Sequence, residues 1–325
     1  MPTSTIGSTG NHANATDWEF ATQGDLSGTG ETRGEVLEEE ITDWVLIAGG
    51  TNSDANNFRH LTAQATASIF DKSAVGGFTL DYNPAYASIT NAVAYKHTVE
   101  VSEAHADVSR LQLENTEAGG GRRHAYIVGG VGSSPRIYDC ICKGVDAASI
   151  SSGPEMSNTL LITTAVAGVG LLVAYGATVI NVGIVCLAAN NTDNGINNQT
   201  AAGVFKNVWI ADFGTGASGA DWAGSNATTA DRIGTVDATG PAADSNPIDL
   251  TSLAASVVSA TDDFRPSSGG ELENAGLAVT GFETDAFGVS RGTGETTACE
   301  LGPVEVTAAA GGGIEVLRRR IEWAH

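Results

Sequence analysis

Apolar residues in this chain come in short bursts separated by glycine, asparagine and aspartate, and one stretch has almost no polar relief. Thr159 to Ala189 reads TLLITTAVAGVGLLVAYGATVINVGIVCLAA and carries no charge. Its length alone would allow a membrane-spanning helix. Its residue types favour strands, because Val, Ile and Thr dominate and Gly168, Gly170, Gly176 and Gly183 interrupt it. The nearest charges are the acids Glu155 and Asp193, and no Lys or Arg anchor flanks the run. Strands buried on both faces read this way. The alternative all-β reading, a sandwich, should alternate polar and apolar positions instead.

A weak repeat runs through the same region. An apolar residue, any residue, then Asn or Asp recurs as Leu113-Glu114-Asn115, Ile137-Tyr138-Asp139, Met156-Ser157-Asn158, Val179-Ile180-Asn181 and Phe205-Lys206-Asn207. The polar positions lie 24, 19, 23 and 26 residues apart, a spacing that suits the rungs of a parallel β-helix. A coil of short strands cannot bury its inner face alone, whereas stacked coils share a continuous core. Asn or Asp fits the corner between two strands because it tolerates the turn conformation and bonds the local backbone. Apolar residues resume at once after three corners, as Cys140-Ile141, Val182 with Ile184, and Val208-Trp209.

Solenoid ends need covering. Asn14 to Glu40 is expected to supply one cap, with aromatics beside acids over Asp17–Thr22, Gly-rich turns, and an acidic face or short helix at Glu35–Glu40. Ile41 to Ala48 reads as a strand. The predicted organisation is an arm and cap over 1–45, a parallel β-helix over 46–215, a β-rich capping region over 216–310, and a Gly hinge with an Arg-rich tail over 311–325.

Composition agrees with a β-rich chain of many turns: 325 residues, 42% hydrophobic, 41 glycines. A net charge of −22 repels phosphate backbones and disfavours nucleic-acid binding. Cys140, Cys142, Cys186 and Cys299 form no CxxC pair, so metal-ligand spacing is absent and core thiols are expected, with a disulfide left open. Met1 to Ala15 has no apolar signal-peptide region, so synthesis in a host cytoplasm without a secretory leader is expected.

Three stretches resemble the right-handed parallel β-helix repeat proteins found in tailed phages and prophages, a pectate-lyase-like fold. The first pairs Asn57–Ala63 with Tyr95–Val101, leading to Leu111-Gln112-Leu113. The second is the rung region. The third runs from Asn274-Ala275-Gly276 through Asp285-Ala286-Phe287-Gly288 and Arg291 to Glu300-Leu301-Gly302-Pro303. It is similar to a family closing segment with an AGT-like turn, a D-x-x-G-x-x-R turn and a DIGA-like strand. Leu277 stands in place of the Thr, and Glu-Leu-Gly-Pro in place of Asp-Ile-Gly-Ala. The resemblance implies an all-β, short right-handed parallel β-helix with N- and C-terminal capping segments; function does not follow from fold.

Candidate chemistry is sparse. A lyase of this fold needs converging acids and a base, and Asp139, Asp146 and Asp212 with Arg136, Lys143 and Lys206 are better read as surface charge. Trp209, Asp212, Asp221 and Trp222 could contact a glycan, an indole beside carboxylates being suited to sugar stacking, against the plainer reading of a solvated loop over Gly214–Asn226. The six histidines form no HExxH and no Ser-His-Asp context. Gly119-Gly120-Gly121 before Arg122-Arg123-His124 lacks the P-loop Lys-Ser/Thr and reads as a basic loop. Catalytic residues, metal and cofactor are all expected to be none. Arg318, Arg319, Arg320 and Trp323 are the candidate docking point for an acidic partner surface.

These readings combine into one expectation. The chain would be a non-enzymatic virion structural protein, a capsid decoration or surface-protruding protein of a tailed phage, with other capsid or tail proteins as partners and no membrane insertion. The alternative is a tailspike-like protein that binds or degrades host surface glycans.

Overall fold

The computed structural model describes residues 3–71, 79–117, 124–129, 134–151, 153–189, 191–200, 202–213, 219–225, 227, 229–292 and 297–305. Its strands form a parallel β-solenoid of about eight turns, and about 5% of the chain is helical. One large sheet of 14 strands and a second of 7 make the walls, and all their pairings are parallel. This excludes the sandwich. Among the described residues, antiparallel strand pairs form two small ribbons, Val257–Ser259 with Asp263–Pro266 and Gly276–Leu277 with Ala298–Cys299.

The uncharged run is not a helix. It lies in the strands Glu155–Thr163, Leu171–Val173 and Thr178–Cys186. Among the described residues no helix is long and apolar enough to cross a membrane. Alternation explains why the run is apolar throughout. Leu161, Ile184 and Ile210 stack in register in the interior core, while Leu160, Ile162, Val185, Trp209 and Ala211 join a second core outside the coil. That outer core is completed by Leu250, Leu253, Val257, Phe264, Leu272, Ala286, Leu301 and Val304. The C-terminal region therefore packs along the flank of the coil, and the strands beneath it are buried on both faces.

Trp209 shows how tightly the flank is closed. Its register neighbours are Gly183 and Gly234, and a Cβ built on Gly183 would lie 2.5 Å from the indole. From the C-terminal side Gly302, at φ 102°, leaves so little room that a Cβ there would lie 2.2 Å from Trp209 Nε1. Only glycine meets both demands at that position.

Four of the five expected corners carry the expected residue in the left-handed conformation: Asp139, Asn158, Asn181 and Asn207, with φ of 53°, 45°, 56° and 53°. Register extends the series to Arg110 and Arg232, at φ 59° and 60°. Asn115 differs. It ends the strand Gln112–Asn115, stacks in register on Asn91, and its amide donates to the carbonyls of Lys96 and His124. It thus braces a different corner, and Arg110 takes the place in the series that the apolar-x-Asn pattern assigned to Asn115.

At the N-terminal end, Glu35–Glu40 forms no helix; Glu31–Val36 and Glu40–Thr42 are strands. The helix is Ala15–Ala21, started by Asn14, whose side chain accepts from Asp17 N. It buries Ala15 and Trp18 in the interior core, with Gly34 leaving space for the indole. The strand expected at Ile41–Ala48 is broken into Glu40–Thr42 and Val45–Ile47.

Candidate functional site

Strands Glu31–Val36, Phe58–Ala63, Ala106–Ser109 and Arg136–Tyr138 are consecutive neighbours in the large sheet. Leu61, Val108 and Ile137 face the interior core, so alternate residues face outward. Register then defines three outward columns. The first is Glu31 and Phe58; the second Arg33, His60, Asp107 and Arg136; the third Glu35, Thr62, Ser109 and Tyr138. Strands lie about 4.8 Å apart and same-face residues about 6.6 Å apart, so long side chains reach diagonally across rungs.

One diagonal is continuous. Glu31 Oε1 lies 2.6 Å from His60 Nδ1, and His60 Nε2 lies 2.7 Å from Ser109 Oγ. Ser109 Oγ is also 2.9 Å from Thr62 Oγ1, and the Tyr138 hydroxyl is 3.4 Å from His60 Nε2. The hydrogen bond from His60, with Arg33 also in contact, holds the Glu31 carboxyl down at about 2 despite partial burial. Burial raises Tyr138 well above the usual phenol range. His60, Thr62 and Ser109 are buried, Ser109 to 1% exposure.

Beside this diagonal Arg136 forms a two-pronged pair with Asp107, Nε to Oδ1 at 2.9 Å and Nη2 to Oδ2 at 2.5 Å. The pair lines a groove of about 200 Å³ together with Ala55, Phe58, His105 and Ser134. A second charged cluster lies near the helix: Arg59, wholly buried, binds Glu103 and Glu19, and Glu103 also accepts from Gly50 N. A third is a directional amide chain along the corners. Asn207 donates to Leu277 O and to Asn181, Asn181 donates to Asn158, and Asn158 donates to Asp139 and Thr284 O.

The residues singled out by sequence lie elsewhere. Trp209 is wholly buried under the C-terminal flank, and Trp222 packs edge-on against Phe205 at 4.9 Å in the interior core. Neither ring has an open face for a sugar. Asp221, wholly buried, accepts the amides of Phe213, Val236 and Asp237, and burial with Asp237 nearby raises it to about 7. Asp212 is half-buried at a left-handed turn. Ala220–Gly224 is a strand, not a solvated loop, and residues 214–218 lie outside the described residues. The lyase set does not converge: Arg136 pairs with Asp107, Lys143 with Glu114 at 3.3 Å, and Asp146 accepts from Val169 N. Among the described residues no group of three or more His, Cys, Asp or Glu is placed to hold a metal. All four cysteines are buried and unpaired. Arg318, Arg319, Arg320 and Trp323 lie outside the described residues, as do Gly119–Arg123.

The D-x-x-G-x-x-R stretch acquires a structural meaning. Asp285 Oδ1 accepts the amides of Phe287 and Val289, Gly288 turns at φ 78°, and Arg291 donates to the carbonyls of Glu300 and Gly302 while pairing with Glu305. These residues lock the strap that covers Trp209. No protein-family model matches the chain, and no curated protein matches it in sequence.

Proposed function

We propose that the protein is a rigid structural element that presents a surface within a larger assembly. One observation carries this reading: polar side chains are bound to one another across neighbouring rungs. Glu31, His60 and Ser109 join three rungs, Asp107 and Arg136 join two, and the amide chain from Asp139 to Asn207 joins four. Such cross-links, with a core on each side of the strands Glu155–Thr163, Thr178–Cys186 and Val204–Ala211, suit a load-bearing scaffold.

The finer form of the proposal is a virion surface protein, a decoration or protruding protein of a tailed phage built on a right-handed coil and docked through Arg318, Arg319, Arg320 and Trp323. Its support is the sequence resemblance. Immunogold microscopy of particles from the source tests it. Regular label on heads is the expected result, and absence of label from every particle refutes the virion assignment. Label at tail tips would instead favour the glycan-binding reading, to which the groove beside Phe58 and Arg136 lends support.

A further inference from the structure

We infer that Ser109 is a latent nucleophile for acyl-ester hydrolysis, with His60 as its base, Glu31 orienting the imidazole, and Tyr138 screening the site. The inference goes beyond the structural role and would leave it standing if it failed.

Hydrogen-bond roles around the imidazole are fixed by its neighbours. The Glu31 carboxylate at 2.6 Å can only accept, so the tautomer of the neutral imidazole that fits it carries the proton on Nδ1. The Nε2 lone pair then faces Ser109 Oγ at 2.7 Å, and the serine hydroxyl donates to it. Nucleophile, base and orienting carboxylate are thus within direct hydrogen-bond reach in the order that activates a serine. A simple cross-link between rungs would need only the Thr62–Ser109 hydroxyl pair, which is present as well.

Strand amides in the sheet are committed to its ladder, so developing negative charge must be met by side chains. Thr62 Oγ1 lies 2.9 Å from Ser109 Oγ. A hydroxyl beside the nucleophile can serve as an oxyanion donor. Tyr138 follows Ser109 in the outward column, and its ring leans toward His60 with centroids 6.1 Å apart. Ser109 is 1% exposed, whereas Tyr138 is only half-buried, so rotation of the phenol toward solvent is the motion that opens the nucleophile.

In the step itself Ser109 Oγ forms a bond to the ester carbonyl carbon while its proton passes to His60 Nε2. The carbon–oxygen bond to the leaving alcohol breaks, and His60 returns the proton to that oxygen. Water, activated by His60, then releases the carboxylic acid and restores Ser109. The groove shares Asp107 with the column of His60 and offers Phe58, His105 and Arg136 to a small leaving alcohol. A chain of net charge −22 disfavours anionic esters, so neutral acyl esters are the substrate class.

A fluorophosphonate probe with intact-mass and peptide mapping tests this, together with p-nitrophenyl acetate hydrolysis. The proteins compared are the full chain, Ser109→Ala, His60→Gln and Tyr138→Ala. The expected result is one adduct on Ser109 in the native chain, faster adduct formation in Tyr138→Ala, and none in Ser109→Ala. Hydrolysis should fall on the order of 100-fold in His60→Gln. An unmodified Ser109 in the native chain after prolonged exposure, or ester hydrolysis undiminished in Ser109→Ala, overturns the proposal. Both readouts hold even if Tyr138→Ala does not fold.

Discussion

Asn181 offers the sharpest test of how the rungs are held together. Its side chain is wholly buried, its backbone sits at φ 56°, and it is the middle link of the amide chain. The direction of that chain is set at one end by backbone: Asn207 donates to Leu277 O at 2.6 Å and accepts from Leu277 N at 3.0 Å. Asn181 must therefore accept from Asn207 at 2.9 Å and donate to Asn158 at 3.2 Å. Asn181→Ala places a Cβ-bearing residue without a local hydrogen bond in the left-handed region, at about 1 kcal/mol. It also strips Asn158 Oδ1 of its donor at about 1–3 kcal/mol, and costs Asn207 one acceptor while the bond to Leu277 survives. The total is about 2–4 kcal/mol, a large share of the stability of an ordinary domain. Asn181→Gly removes the same hydrogen bonds without the backbone strain, so it should cost about 1 kcal/mol less. Guanidinium unfolding read through the buried indoles of Trp18 and Trp209 measures both. A loss below about 1 kcal/mol in Asn181→Ala would show the amide chain to be idle. A glycine variant no better than the alanine variant would show that the corner conformation carries no strain.

Acid should first strengthen the fold and then weaken it. Burial raises Asp139, Asp221 and Asp285 to about 7, so the native chain holds protons that the unfolded chain releases; their contribution is full below the unfolded value of 3.8 and is lost as pH rises through about 7. Glu31, held at about 2 by His60, acts oppositely, stabilising above its unfolded value of 4.5 and ceasing to do so as pH falls through about 2. Calorimetry should therefore find the highest Tm near about pH 4–5, and a Tm that climbs from pH 5 to 8 contradicts the assignment. Arg59→Met leaves Glu19 and Glu103 facing each other without a cation, a loss of about 3–5 kcal/mol that guanidinium unfolding at neutral pH should read. Gly183→Ala drives a methyl toward the Trp209 ring and should cost about 1–3 kcal/mol with a shift in tryptophan emission. Gly240→Ala, with nothing within 4 Å, should stay within about 0.5 kcal/mol and serves as the control.

The coil was legible because its corners and its double burial leave local marks. A residue that must adopt a left-handed conformation at each rung is restricted to few types, and Asp139, Asn158, Asn181 and Asn207 satisfy that restriction at every one of four consecutive corners. Arg110 and Arg232 adopt the same conformation with side chains that carry no such mark, so the pattern ends before Arg232 and puts Asn115 in the place of Arg110. The long apolar run pointed to strands buried twice over, yet it could not show what covered the outer face. That cover is the segment carrying Leu250, Phe264, Leu272 and Leu301, whose contact with Trp209 depends on two glycines far apart in the chain. Trp209 and Trp222 are candidate glycan contacts in sequence because aromatic residues beside acids look alike whether they face sugar or core.

The cluster of Glu31, His60 and Ser109 was illegible for a geometric reason. Glu31 and His60 are 29 residues apart and His60 and Ser109 are 49 apart, and neither separation matches the rung length seen among the Asn corners. Unequal rungs hide a diagonal, since the partner of each residue depends on the register of strands joined by loops of different lengths. The pairing Thr62 with Ser109 with Tyr138 fixes the third column, and two residues before Thr62 on its own strand lies His60. Once one column is known the others follow by steps of two, because same-face residues alternate along a strand. A solenoid therefore assembles side-chain constellations that no linear motif encodes, and in such a fold the search for chemistry belongs on the register of the outward columns.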